Sequence, residues 1–71
     1  MNLQEVVTIK FMDADSQEEA LAIIRATEGQ IALCLSIKQN GDVEAFFGPE
    51  EGKRLVEALQ QAILLSKGQQ V

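Results

Sequence analysis

The stretch from Ile31 to Ser66 constrains the fold of this chain more than any other. Apolar residues alternate from Ile31 to Ile37, Gln39-Asn40-Gly41 interrupts them, and alternation resumes at Val43. Gly48-Pro49-Glu50-Glu51 then opens an amphipathic run. Two period-two segments around a glycine turn predict a β-hairpin. Proline at a first helical position loses no hydrogen bond, and acids in the first turn suit the helix dipole, so a helix is predicted from Pro49. A two-residue Asn-Gly loop would set Ile37 against Glu44 and split the apolar set between faces. A three-residue loop at Gln39-Asn40-Gly41 pairs Ile37 with Val43, Leu35 with Ala45, Leu33 with Phe47 and Lys38 with Asp42, and this register is the one expected. In the helix, Leu55, Val56, Leu59, Ala62, Ile63 and Ser66 form one stripe, with Gly52 near its middle. A glycine there predicts close approach of the helix start to the sheet. Leu64 and Leu65 fall outside the stripe.

The first half is organised by similar signals. Val6 to Met12 alternates, Val7, Ile9 and Phe11 on one face and Val6, Thr8, Lys10 and Met12 on the other, which predicts a strand. Asp13-Ala14-Asp15-Ser16 breaks it. Ser16 followed by Glu19 has capping-box spacing, Ala20, Leu21, Ile24 and Thr27 then share a helical face with Ile23 at its margin, and Gly29 is placed to stop a helix. The expected order is therefore β-α-β-β-α, an α+β fold with a three-stranded sheet and both helices on one face. That is the ferredoxin-like split βαβ arrangement lacking its last strand. The third strand is placed between the first two, or the first beside the second. Val6, Thr8, Met12, Ala32, Cys34, Ser36 and Phe46 are left on the opposite face.

Seventy-one residues are expected to form a single domain, 1–71, with a polar tail at 68–71. A domain this small buries only about 60% of the surface its unfolded chain exposes. One cysteine, Cys34, excludes an intrachain disulfide, and with no histidine a structural zinc site is not expected. Association with a second chain remains as the stabilising route, so a homodimer is expected, with another protein as a possible partner. A net charge of −5 and six scattered Lys and Arg argue against nucleic acid. No apolar run is long enough to cross a bilayer, and Met-Asn-Leu-Gln-Glu does not read as a leader. The lone thiol suits a reducing compartment, and a cytoplasmic location is expected.

No catalytic, cofactor-binding or metal-ligating residues are assigned. Without histidine the commonest general base is missing, and there is no glycine-rich phosphate loop. Asp13-Ala14-Asp15 begins like a calcium loop, but Glu18 stands where glycine is required and Ile24 where the last glutamate belongs. Cys34 reads as a small strand hydrophobe, having no base or cation beside it. The apolar surplus is a different matter. Val6, Met12, Cys34 and Phe46 on the open sheet face, and Leu64 and Leu65 at the helix end, are the interface candidates. Asp42-Val-Glu-Ala-Phe-Phe-Gly-Pro-Glu-Glu followed by Leu55-Val-Glu-Ala-Leu resembles a hairpin-then-helix module of small uncharacterised bacterial proteins. Their helix opens Ser-Pro-Glu-Glu-Ala, from which Gly48 and Gly52 depart. The resemblance implies a bacterial, intracellular protein and carries no activity. The expected function is a non-enzymatic, homodimeric protein-interaction module. The alternative is a ferredoxin-like domain holding a small molecule at its dimer interface.

Overall fold

Residues 19–27 decide the architecture. Glu-Ala-Leu-Ala-Ile-Ile-Arg-Ala-Thr can lie as a helix or as a two-sided strand, and in the computed structural model, which describes residues 3–69, it is a strand. The element order is β1 (Gln4–Met12), β2 (Glu19–Thr27), β3 (Gln30–Ile37), β4 (Gly41–Phe47) and one helix, α1 (Pro49–Ser66). The strands form a four-stranded sheet in the order β1-β2-β3-β4, every neighbour antiparallel. The β-α-β-β-α expectation, with its three-stranded ferredoxin-like sheet and two helices, is thereby overturned. Met1 and Asn2, read above for a leader, and Gln70 and Val71 of the polar tail lie outside the described residues.

The reason is pairing. As a strand, 19–27 sits between two partners and buries side chains on both faces at once. Ala20, Ala22, Ile24 and Ala26 point one way and Leu21, Ile23 and Arg25 the other. A helix would bury one stripe only, so the hydrogen-bonding ladders to β1 and β3 outweigh the modest helix preference of Ala, Leu and Glu.

Ser16 and Glu19 accordingly do different work. Asp13 Oδ2 accepts hydrogen bonds from the Ser16 backbone N–H and hydroxyl, each at 2.8 Å. The Ser16 hydroxyl in turn accepts from the Glu18 N–H at 3.3 Å, while Gln17 takes a left-handed φ of 63°. The supposed helix start is thus the β1–β2 turn. Those bonds hold the Asp13 carboxyl below its ordinary pKa of 3.8, the Ser16 backbone bond contributing most. A carboxylate with a lowered folded pKa stabilises the fold fully above its unfolded value and loses that contribution as pH falls through the folded one. A carbon-13 titration of Asp13 is therefore expected to show a midpoint below 3.8 that returns upward in Ser16→Ala. The return should be partial, because the backbone bond remains, and an unmoved midpoint would contradict the contribution of the Ser16 hydroxyl.

Gly29 ends β2 as a hairpin turn. Thr27 pairs with Gln30, and Gly29 holds φ at +82°, a conformation costly for any residue with a Cβ. In the second hairpin Ile37 pairs with Gly41, Leu35 with Val43, Leu33 with Ala45 and Ile31 with Phe47. The expected register is thus displaced by one full pleat. Apolar parity is the same in both registers and cannot choose between them. The turn chooses: the Asn40 N–H donates to the Ile37 carbonyl at 3.0 Å, and Gly41 follows with φ +83°.

The helix starts as read, at Pro49. Glu51 Oε1 accepts from the Gly48 N–H at 3.1 Å, half of a capping box. At the other end the Gln69 N–H donates to the Leu64 carbonyl at 2.9 Å and the Gly68 N–H to that of Leu65 at 3.0 Å, a Schellman closure. Gly68 and Gln69, the first two residues of the stretch read as a polar tail, thus close the helix. Gly52 does mark a close approach. A Cβ at that position would lie 2.8 Å from Ile31 Cδ1 and 3.6 Å from Phe47 Cε2.

Candidate functional site

The two faces of the sheet differ in kind. On the face beneath α1 every described position from Val7 to Phe47, the turn glycine apart, is apolar. Val7, Ile9 and Phe11 come from β1, the alanines and Ile24 from β2, and Ile31, Leu33, Leu35 and Ile37 from β3. Val43, Ala45 and Phe47 complete it from β4. In an ordinary two-layer domain a helix layer covers such a face. Here α1 meets the sheet at its first turns, over the start of β3, and leaves the large side chains farther out uncovered. Ile9 is 49% exposed, Leu35 46% and Val43 68%. The helix is no better covered: every residue from Lys53 to Ser66 is exposed, among them Leu55, Leu59 and Ile63.

The outer face carries its polar groups in pairs. Arg25 reaches across β3 to Glu44 at 3.1 Å, passing over Ala32 and Cys34, and Ala32 is completely buried beneath it and its neighbours. Ser36 donates to Asp42 at 2.6 Å, Thr8 to Glu5 at 2.8 Å, and Lys10 stands 3.9 Å from Glu19. Exposed ion pairs of this kind add little stability, but they make the surface compatible with water.

The interface candidates named from sequence fall on separate surfaces. Met12, Cys34 and Phe46 lie on the outer face. Val6 is the extra residue of a β-bulge between Glu5 and Val7. Met12, Phe46 and Val6 are exposed, and Cys34, half-buried, is a free thiol between Ile23 and Glu44. Leu64 and Leu65 sit in the last turn of α1, both exposed. The structure therefore separates the sheet candidates from the last two. What the sequence reading missed is the larger surface: Val7, Ile9, Leu35 and Val43 on the sheet, and Leu59 and Ile63 on the helix. Its signal was present in residues 20–26, whose alternate alanines match strand alternation as well as a helical stripe.

Where α1 rises from the sheet it leaves a cleft of about 380 Å³, lined by Ile24, Leu33, Phe47, Leu55 and Leu59 among others, with Lys53 its one polar side chain. A shallower depression of about 370 Å³ on the outer face is bounded by Lys10, Glu19, Leu21, Ser36 and Lys38. Among the described residues no three His, Cys, Asp or Glu side chains converge as a ligand set. No helix among them is long and apolar enough to cross a membrane.

Comparison with known proteins adds no relative. No family model, curated protein or solved structure matches this chain. Function must be argued from the surface itself, and surface area gives the measure. A compact monomer of 7.8 kDa exposes about 4,400 Å². This chain exposes 5765 Å², an excess of about 1,400 Å² over that expectation. Its radius of gyration is 13.8 Å, against about 11 Å for a compact chain of the same length.

Proposed function

We propose that this protein is a non-enzymatic interaction module that works as a homodimer, with the apolar helix-side face turned to a second copy. The observation carrying this reading is the bare apolar layer on both α1 and the sheet beneath it. A standard specific interface removes about 800 Å² from each partner, and obligate dimers remove more, so the excess area is of the size a dimer would hide. Only Ala20 and Ala32 are buried among the described hydrophobic residues, too small a core to offset the conformational entropy of folding alone. With the helix side occupied, the outer face, with Phe46 and Met12 among paired charges, is left free for another protein. The resemblance of the hairpin and helix to small bacterial proteins, together with the lone thiol, supports a bacterial and cytoplasmic setting.

A second reading, a small apolar molecule bound in the cleft, draws on its volume, which lies within the range of ligand pockets. Such pockets also place several polar groups to orient their ligand, and Lys53 is the only one here. Side chains of a protein surface suit the cleft better.

Light scattering on a sizing column tests the dimer. At roughly 50 µM the mass should be twice 7.8 kDa, and Phe46→Lys on the outer face should leave it unchanged. Leu35→Lys on the helix-side face should halve it. A wild-type monomer would sink the reading, and loss of the dimer in Phe46→Lys alone would move the seam to the outer face.

A further inference from the structure

We propose that α1 is an exchanged arm: the distal half of each helix lies on the uncovered part of the partner's sheet, in a closed two-fold dimer. This rests on the homodimer reading above and specifies how the two copies meet.

Anchoring and reach are the first ground. An 18-residue helix is about 27 Å long. It is fastened at one end, where Gly52 lies against Ile31 and Phe47. Leu59 and Ile63 continue the stripe that begins at Gly52, so the face that touches the chain's own sheet at the first turns is the face presented bare farther along. The longest dimension of the protomer is 42 Å, more than the ~30 Å of a nine-residue strand, as expected of a helix that runs off its own sheet.

The second ground is the shape of what is left open. Along β2, Ala20 and Ala22 sit between Phe11 and Ile9 on one side and Ile37 and Leu35 on the other, so two small side chains lie between large ones, and Ile24 closes the row at the end under α1. The result is a shallow apolar trough, with Val43 beyond Leu35 on the neighbouring strand, and a helix ridge carrying Leu59 and Ile63 matches its chemistry.

Symmetry and area supply the third. Helices paired only with each other would hide the α1 stripe and leave Ile9, Leu35 and Val43 in water. Sheets paired only with each other would leave Leu59 and Ile63 bare. Reciprocal arms cover both in one isologous contact, which closes on itself and leaves neither the α1 stripe nor the helix-side face open to a third copy. This arrangement draws on both bare apolar surfaces of each chain, in keeping with an excess of about 1,400 Å².

Site-directed crosslinking decides it. In a Cys34→Ser background, one full-length chain carries Ile63→Cys and a second carries Val43→Cys; light scattering first confirms the mass of each. The two are mixed, allowed to exchange subunits and treated with a short bismaleimide. A covalent dimer joining position 63 of one chain to position 43 of the other is expected, with at least tenfold higher yield than a Phe46→Cys control on the outer face. A link only between two copies of Ile63→Cys would replace the exchanged arm by a helix-to-helix seam. Dimeric mass with no link from position 63 would place the seam elsewhere and overturn the arm while leaving the homodimer. Monomeric mass for all variants and for wild type would overturn both.

Discussion

Ile24→Asp should abolish the folded state, whereas Ile23→Asp, one residue away, should be tolerated. Ile24 pairs with Val7 and Leu33 and lines the cleft under α1. An aspartate there forfeits the burial of a branched side chain and places a carboxylate where every neighbour on the sheet is apolar. Together these cost more than about 4 kcal/mol, against a total stability of about 4–10 kcal/mol for a chain of this length. Ile23 points to the outer face, between Thr8 and Cys34, where water and polar partners are at hand. A loss of about 1–2 kcal/mol is expected there, from β-propensity and partial burial. Urea unfolding followed by circular dichroism reads both variants. Similar losses would mean that residues 19–27 lack the sidedness of a strand. In a helix the two positions would be only about 100° apart, and such a difference would be smaller.

The second large effect is expected at Gly52, and its sign should depend on side-chain size. A methyl group added there comes within 2.8 Å of Ile31 Cδ1, the end of a side chain that can rotate aside. Gly52→Ala also gains about 1 kcal/mol of helix propensity, so a change near zero or a small stabilisation is expected. Gly52→Leu has no such escape. Its added atoms must displace Ile31 and then Phe47, 3.6 Å from the first new atom, and the helix start is levered off β3. Overpacking of this kind costs about 1–3 kcal/mol, and here it also moves the one point where α1 is fastened to the sheet. Thermal unfolding should show Gly52→Leu losing stability, and light scattering on the same samples should show it losing the proposed dimer as well. If Leu were as stable as Ala at this position, the close approach would not exist.

Sequence patterning proved dependable where one local signal had one physical meaning. Pro49 after Gly48 could only begin a helix, Gly41 after an alternating run could only turn a hairpin, and Gly52 inside an apolar stripe could only mark a near contact. Each is a matter of backbone conformation or of missing side-chain volume within a few residues. The same patterning placed Ile31, Leu33, Leu35 and Ile37 on a single face, as the structure does. It could not set their register against β4, because a displacement by one pleat keeps every apolar residue on its own side.

Residues 16–29 show the limit. Ser16, Glu19 and Gly29 have the spacing of a capped helix, and Ala20, Leu21 and Ile24 that of its apolar stripe. Asp13 turned Ser16 into a turn residue instead, and alternate alanines turned the stripe into two strand faces. The apolar surplus was legible in the composition, but its location was not. Reading 19–27 as a helix placed it on one side of a three-stranded sheet and directed attention to Phe46 and Cys34. As a strand it widens the sheet and leaves one helix to cover a face too broad for it. What this sequence determined by itself is therefore local: the existence of the second hairpin, the start of the C-terminal helix, the sidedness of β1, β3 and β4, and a chain short of core. The tertiary structure decided whether 19–27 is helix or strand, and with it which apolar face lies bare. Both conformations satisfy the local backbone, and only hydrogen bonds to β1 and β3, distant in sequence, tell them apart.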